Sequence, residues 1–139
     1  MSAPKLSEME SSLVPDPELE EVLAELSARE PIFHRPEFGT TRGDFERMTV
    51  EDFWEVGASG RRYSRAFVLD ELEKRVTAPQ NDVWETMDFH CRRLAEDLYL
   101  LTYTLVQDRK RKTGRATIWQ RAVEGWKIVY HQGTLVENE

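Results

Sequence analysis

The chain of 139 residues has room for one domain, and its 40% hydrophobic and 32% charged residues are typical of a globular protein. The net charge of −7 argues against general binding to nucleic-acid phosphates, and no apolar run approaches the length needed to cross a membrane. The N-terminus also lacks the basic start and apolar centre of a signal peptide, so we expect a cytoplasmic protein. The single cysteine, Cys91, is either a small buried side chain or, alternatively, a catalytic thiol.

The N-terminal part is predicted to contain a flexible tail and an amphipathic helix. Residues 1–14 are polar and unpatterned, and we expect a single domain over residues 15–139. Asp16 followed by Pro17 is a typical helix start. Apolar residues recur at helical spacing opposite a row of glutamates: Leu19, Val22, Leu23 and Leu26.

Two further helices flank a predicted short hairpin. The first covers residues 41–48, with Thr41 as its cap and its apolar side chains inward. Residues 53–56 and 61–63 then read as two short strands joined by a tight turn. Ser64 caps the next helix, which presents a buried stripe: Phe67, Val68, Leu69, Leu72 and Val76. A loop is predicted over residues 78–82.

The C-terminal part is predicted to be rich in strands, over residues 83–94, 98–107, 115–121 and 126–136. In the first of these, Val83, Met87, Phe89 and Cys91 are expected to share one face. Helices first and long strands afterwards are typical of an α+β fold with a mainly antiparallel sheet.

A basic cluster precedes the third of these strands: Arg109, Lys110, Arg111, Lys112 and Arg115. It is either an anion or RNA patch or the solvated tip of a hairpin, with Thr113 and Gly114 supplying the turn. The hairpin interpretation is favoured, and no nucleic-acid partner is predicted.

The order of elements and four stretches of sequence resemble a known superfamily. The stretches are DFWEVGASGRRYSRAFVLDEL, LLTYTLV, RATIWQR and GWKIVYHQGTLV. They are similar to the nuclear transport factor two-like superfamily, which includes ketosteroid isomerases and SnoaL-like cyclases, and most of all to its bacterial members of unknown function. The resemblance implies a cone-shaped half-barrel, also called cystatin-like, with three N-terminal helices packed on a curved mixed sheet. It also implies a homodimer formed through the outer face of the sheet.

The catalytic pattern of ketosteroid isomerases is only partly reproduced. The family's carboxylate base would fall near the end of the first strand, at Glu55, although another alignment places Val56 there. Neither RATIWQR nor WKIVYHQG contains an acid that could act as the oxyanion donor.

Five large residues with polar groups are the predicted lining of a pocket between the helices and the concave sheet face: Trp54, Glu55, Tyr103, Trp119 and His131. Each of these residues has an alternative interpretation. Tyr103 and Trp119 could simply belong to the core, and Trp54 and Glu55 could point outward. His131 could be a hydrogen-bonded structural residue. Glu55 and His131 are the best candidates for acid–base chemistry. The three histidines lack the spacing of a metal site, so neither a metal nor a cofactor is predicted.

The leading hypothesis from the sequence is a domain that binds a small apolar or amphipathic molecule. The alternatives are an acid–base enzyme without cofactor, such as an isomerase, cyclase or dehydratase, and a purely structural homodimerisation module.

Overall fold

The computed structural model describes residues 3–76 and 83–137, so the loop predicted over residues 78–82 lies outside the described residues. The helices in this part of the chain are α1 (Leu6–Met9), α2 (Glu20–Ser27), α3 (Arg42–Met48) and α4 (Arg65–Val76). The strands there are β1 (Thr49–Val56), β2 (Arg62–Ser64), β3 (Trp84–Ala95), β4 (Leu98–Gln107), β5 (Arg111–Ala122) and β6 (Gly125–Leu135). Helix α1 is a single turn within the predicted tail, all of whose described residues are exposed.

The strands form one mixed, curved sheet in the order β2-β1-β6-β5-β4-β3. The pairing of β1 with β6 is parallel, and every other pairing is antiparallel. Register shifts occur in β1, in β3 and between β5 and β6, where bulges bend the strands. The structure therefore confirms the predicted α+β fold and its mainly antiparallel sheet.

The helices cover one face of the sheet because their apolar residues lie on one side. The side chains of Leu19, Val22 and Leu26 are buried, as the helical spacing predicts. The start of this segment is a 3₁₀ turn over Pro17–Leu19, where Asp16 accepts a hydrogen bond from the Glu18 amide. Thr41 caps α3 in a capping box, and Ser64 accepts a hydrogen bond at the start of α4.

The stripe predicted on α4 is correct in part. Val68, Leu69 and Leu72 are buried, but Phe67 is 47% exposed, so the prediction that it belongs to the core is wrong. Phe67 instead stacks on the ring of Tyr63, which lies on the adjoining strand β2. The side chain of Val76 lies outside the described part of the structure.

The hairpin between β4 and β5 turns earlier than the sequence predicts. The turn covers residues 108–110, where Asp108 and Arg109 have positive φ angles of 52° and 61°. Thr113 and Gly114, the predicted turn, lie within β5, and Thr113 is completely buried. Most of the basic cluster consequently belongs to a strand.

The alternation of inward and outward side chains along strand β3 is interrupted by a bulge. Asp88 has a φ of 61°, and the register with β4 shifts between Met87 and His90. Met87 therefore pairs with the outward residue Thr104, while Cys91 pairs with the inward Leu101. The prediction that Met87 and Cys91 share a face is wrong, because the bulge reverses the alternation.

Cys91 is buried, and its surroundings raise the pKa of the thiol to about 11, chiefly through loss of solvent. It is a core side chain rather than a reactive thiol.

Candidate functional site

A cavity of about 510 Å³ lies between helix α4, the segment before α3 and the concave face of the sheet. Its apolar wall consists of Ile32, Phe33, Tyr63, Phe67, Val68 and Leu72. Its polar and charged lining consists of His34, Glu55, Glu71, Lys74, Arg75, Arg115 and His131. This size is within the range of small-molecule sites.

The parallel pairing of β1 with β6 brings Glu55 and His131 side by side. The two residues are direct partners in the register, so their side chains lie on the same face of the sheet. Glu55 is partly buried, and burial raises the pKa of its carboxyl, while Arg115 and Arg75 oppose the rise. Within residues 3–76 and 83–137, no hydrogen-bond donor is in bonding distance of this carboxylate.

Arg115 reaches the same cavity from β5. Its Nε–H donates to the Thr113 hydroxyl at 3.0 Å, and its Nη1 lies 3.3 Å from Nε2 of His131. A Cβ atom at Gly133, on the neighbouring strand, would lie 3.2 Å from both Cζ and Nε of Arg115. Glycine therefore leaves space for the guanidinium between the two strands.

The hydrogen bonds of His131 define its tautomer. A guanidinium can only donate, so Nε2 is the acceptor and the proton lies on Nδ1, which is 2.8 Å from the Thr117 hydroxyl. Only 2% of the His131 surface is exposed. This burial and the charge of Arg115 lower the pKa of His131 to about 3. The imidazole is thus neutral and fully hydrogen-bonded at neutral pH, so it acts as a structural residue.

The network continues from His131 into the core and ends on Glu30. Glu30 is completely buried just after α2 and accepts hydrogen bonds from Tyr103 at 2.6 Å and from the Trp119 indole at 3.0 Å. The Thr117 hydroxyl and the Ile32 amide are further donors to it. Burial raises the pKa of the Glu30 carboxyl, and these four donors oppose the rise.

The other end of the cavity is held by Arg75, near the end of α4. Its Nη2 donates to the Phe33 carbonyl at 2.8 Å, and its Nη1 lies 3.3 Å from Nε2 of His34. These contacts link α4 to the segment that precedes α3.

Two of the five predicted lining residues, Glu55 and His131, line this cavity. Tyr103 and Trp119 are buried on the same face of the sheet, but they contact Glu30 instead of the cavity. Trp54 lies on the opposite face of the sheet, because side chains alternate along a strand and its neighbours Phe53 and Glu55 point inward. It is 43% exposed and packs edge-on against Tyr130.

Arg115 and Glu30 are two of the polar residues whose positions the sequence analysis did not predict. Strand alternation could have identified Arg115, since it lies four residues before the inward Trp119 on the same strand. No comparable local pattern marks Glu30.

A wider depression of about 850 Å³ lies near β3 and the N-terminal segment. Its lining includes consecutive residues of β4, Thr102 and Tyr103, which point to opposite faces of the sheet. The lining of this depression therefore includes residues from both faces of the sheet. In the described ranges, no group of three or more His, Cys, Asp or Glu residues could hold a metal ion, and no helix is long and apolar enough to cross a membrane.

Comparison with known proteins bears on the fold. No family model and no curated protein matches the sequence. Among solved structures, a candidate dehydratase of the nuclear transport factor two-like family from Streptomyces avermitilis superimposes with a TM-score of 0.65 at 16% identity, over 90% of this chain and 100% of that one. A protein with a cystatin-like fold from Caulobacter vibrioides gives 0.63 at 15% identity, over 84% and 87% of the two chains.

A candidate ketosteroid isomerase from Parabacteroides distasonis gives a TM-score of 0.56 at 14% identity, over 87% of this chain and 88% of that one. These superpositions show a common fold, and a fold alone does not define a reaction. The chain has the nuclear transport factor two-like, cystatin-like fold that its sequence resembles.

Proposed function

We propose that this protein binds a small amphipathic molecule in the cavity between α4 and the concave sheet face. The observation that carries the proposal is the combination of a stacked aromatic pair, Tyr63 and Phe67, with the partly buried charged groups of Glu55 and Arg115 in one cavity. Apolar walls with a few polar groups are typical of small-molecule sites. Phe67 is a large apolar residue left half-exposed, and a bound ligand would cover its ring.

The test is a thermal-shift screen of a mixed metabolite library with the wild type, Phe67→Ala and Phe38→Ala. Phe38 is a matched control, because it is 37% exposed and lies outside the cavity lining. Compounds that raise the Tm of the wild type and of Phe38→Ala, but not of Phe67→Ala, would support the proposal. Stabilisation that is equal in all three proteins, or no stabilisation by any compound, would contradict it.

A second candidate function is acid–base catalysis with Glu55 as the base. Its carboxylate faces the cavity, has no protein donor among the described residues, and has a pKa that burial raises towards the range useful for proton transfer. His131 is not part of this candidate, because its nitrogens are engaged by Thr117 and Arg115. Exchange of α-protons of small ketones and thioesters into D₂O, followed by NMR, should occur with the wild type and be abolished in Glu55→Gln. No exchange with the wild type would contradict it.

We also propose that the outer face of the sheet pairs two copies of this chain. The helices cover the other face, and the outer face carries Trp54 packed on Tyr130 together with partly exposed aliphatic residues such as Leu100 and Ile118. Sedimentation of the wild type at micromolar concentration should give a dimer, and Ile118→Lys should give a folded monomer. A wild-type monomer would contradict this pairing.

A further inference from the structure

Arg115 is a partly buried cation that has no carboxylate partner. In the part of the chain that the structure describes, no Asp or Glu oxygen lies within 4.0 Å of its guanidinium, whereas Arg42, Arg47 and Arg121 all form ion pairs. Burial is the main cause that lowers the pKa of Arg115, so its surroundings are poor in water. A charge in such a place is normally balanced by an anion.

The guanidinium is also held in a fixed orientation with donors to spare. Its five N–H groups make one hydrogen bond to Thr113 and one to His131, which leaves three without an acceptor among the described residues. His131 cannot compensate the charge, because it accepts this bond as a neutral imidazole. The absence of a side chain at Gly133 leaves the space that the planar group occupies. A fixed planar fork is the geometry that binds a carboxylate through two parallel hydrogen bonds.

The Arg115 guanidinium interacts electrostatically with the carboxylate of Glu55, which lines the same cavity. Among the described residues, the two groups do not form an ion pair. The N–H groups that Arg115 leaves free are therefore available to the carboxylate of a ligand.

We propose that the ligand of this cavity is a small organic carboxylate whose carboxylate group binds the free N–H groups of Arg115. Its apolar body lies against the Tyr63 and Phe67 rings. This assignment rests on the proposed function of the cavity and names the chemical class of its ligand.

The test uses pairs of probes that differ only in charge: benzoate with benzamide, and the C4 to C10 straight-chain carboxylates with their amides. Binding is measured by isothermal titration calorimetry at constant ionic strength. The carboxylates of best-fitting length should bind the wild type at least tenfold more tightly than their amides, because the amide lacks the charge that pairs with Arg115.

Three variants identify the site. Arg115→Gln should weaken carboxylate binding at least tenfold and leave amide binding nearly unchanged. Gly133→Ala keeps every charge but displaces the guanidinium, and should weaken carboxylate binding by about three- to tenfold. Arg109→Gln removes the same charge from the β4–β5 turn and should change binding less than twofold. Circular dichroism shows whether each variant is folded, and Gly133→Ala keeps the test decisive if Arg115→Gln does not fold.

The possible results separate this inference from the proposed function. If amides bind as tightly as carboxylates, or if both the Arg115 and Gly133 variants bind carboxylates like the wild type, the carboxylate assignment is wrong while binding in the cavity stands. If no probe binds up to about 5 mM, the assignment is also wrong. The cavity itself is then judged by the library screen with Phe67→Ala.

Discussion

The hydroxyl of Tyr103 donates a 2.6 Å hydrogen bond to Oε1 of Glu30, a carboxyl group with no solvent-exposed surface. Glu30 follows helix α2, and Tyr103 lies in the middle of strand β4, so this bond joins the helical layer to the sheet. Trp119 on the next strand donates to the other carboxyl oxygen at 3.0 Å. The polar core thus fixes the position of the segment that begins the cavity wall at Ile32.

Removal of the Tyr103 hydroxyl should destabilise the protein. In Tyr103→Phe a buried acceptor loses its donor, and the free energy of unfolding should fall by about 1–3 kcal/mol. Tyr130→Phe is the matched control, since the Tyr130 hydroxyl donates to the side chain of Gln132, two residues away on the same strand, and its loss should cost less than about 0.5 kcal/mol. Urea unfolding at pH 7 measures both, and equal losses would contradict the role assigned to Glu30.

Glu30 should make stability depend on pH in an unusual direction. Burial raises the pKa of its carboxyl above the ordinary 4.5, so the folded state holds this proton to higher pH than the unfolded state does. Its contribution is therefore fully present below pH 4.5 and is lost as the pH rises through the raised pKa. The wild type should therefore lose stability relative to Glu30→Gln as the pH rises. Urea unfolding of both proteins from pH 4.5 to 8 measures the difference in their free energies of unfolding. A constant difference would show that the pKa of Glu30 is ordinary.

His131 should make the stability of the protein depend on pH in the opposite direction. Its pKa falls from 6.5 to about 3 in the folded state, so its contribution is present above pH 6.5 and is lost as the pH falls towards 3. Each pH unit within that window should cost roughly 1.4 kcal/mol of stability relative to His131→Asn. NMR of the imidazole protons is the direct check, and protonation with a midpoint near pH 6.5 would contradict the burial and hydrogen bonding described for this residue.

Glu55 should oppose the binding of anions in the cavity. Glu55→Gln removes a negative charge that interacts with Arg115, so we expect benzoate, or the best-fitting carboxylate, to bind about three- to tenfold more tightly. Glu85→Gln changes an exposed acid on the edge strand β3 and serves as the control. Titration calorimetry measures both variants, and unchanged or weaker binding in Glu55→Gln would indicate that the ligand does not reach this part of the cavity.

Local periodicity predicted much of the fold. The alternation along β4 and β5 identifies Tyr103 and Trp119 as inward residues, and both are buried. The helical spacing of Leu19, Val22 and Leu26 likewise identifies the buried side of the first long helix. These predictions succeed because each depends only on the repeat of one regular element.

The candidate site depends on residues that the periodic pattern of a single helix or strand does not identify. Glu30 lies at the end of an acidic amphipathic segment and resembles its solvated neighbours, while its partners Tyr103 and Trp119 come 73 and 89 residues later. The sequence places Arg115 in the basic cluster of a predicted hairpin tip, with the turn at Thr113 and Gly114. The positive φ angles that close the hairpin occur instead at Asp108 and Arg109, neither of which is glycine.

The position of β6 in the sheet has a consequence for how the chain acquires its structure. This strand lies between β1 and β5, although it follows both of them in the chain. Before residues 125–135 are available, the hairpin of β1 and β2 and the meander of β3 to β5 remain separate pieces, each with an unpaired edge that other chains could join. Nascent or partly folded molecules should therefore be the aggregation-prone species, and substitutions that weaken β6 should lower the yield of native protein more than their effect on equilibrium stability implies.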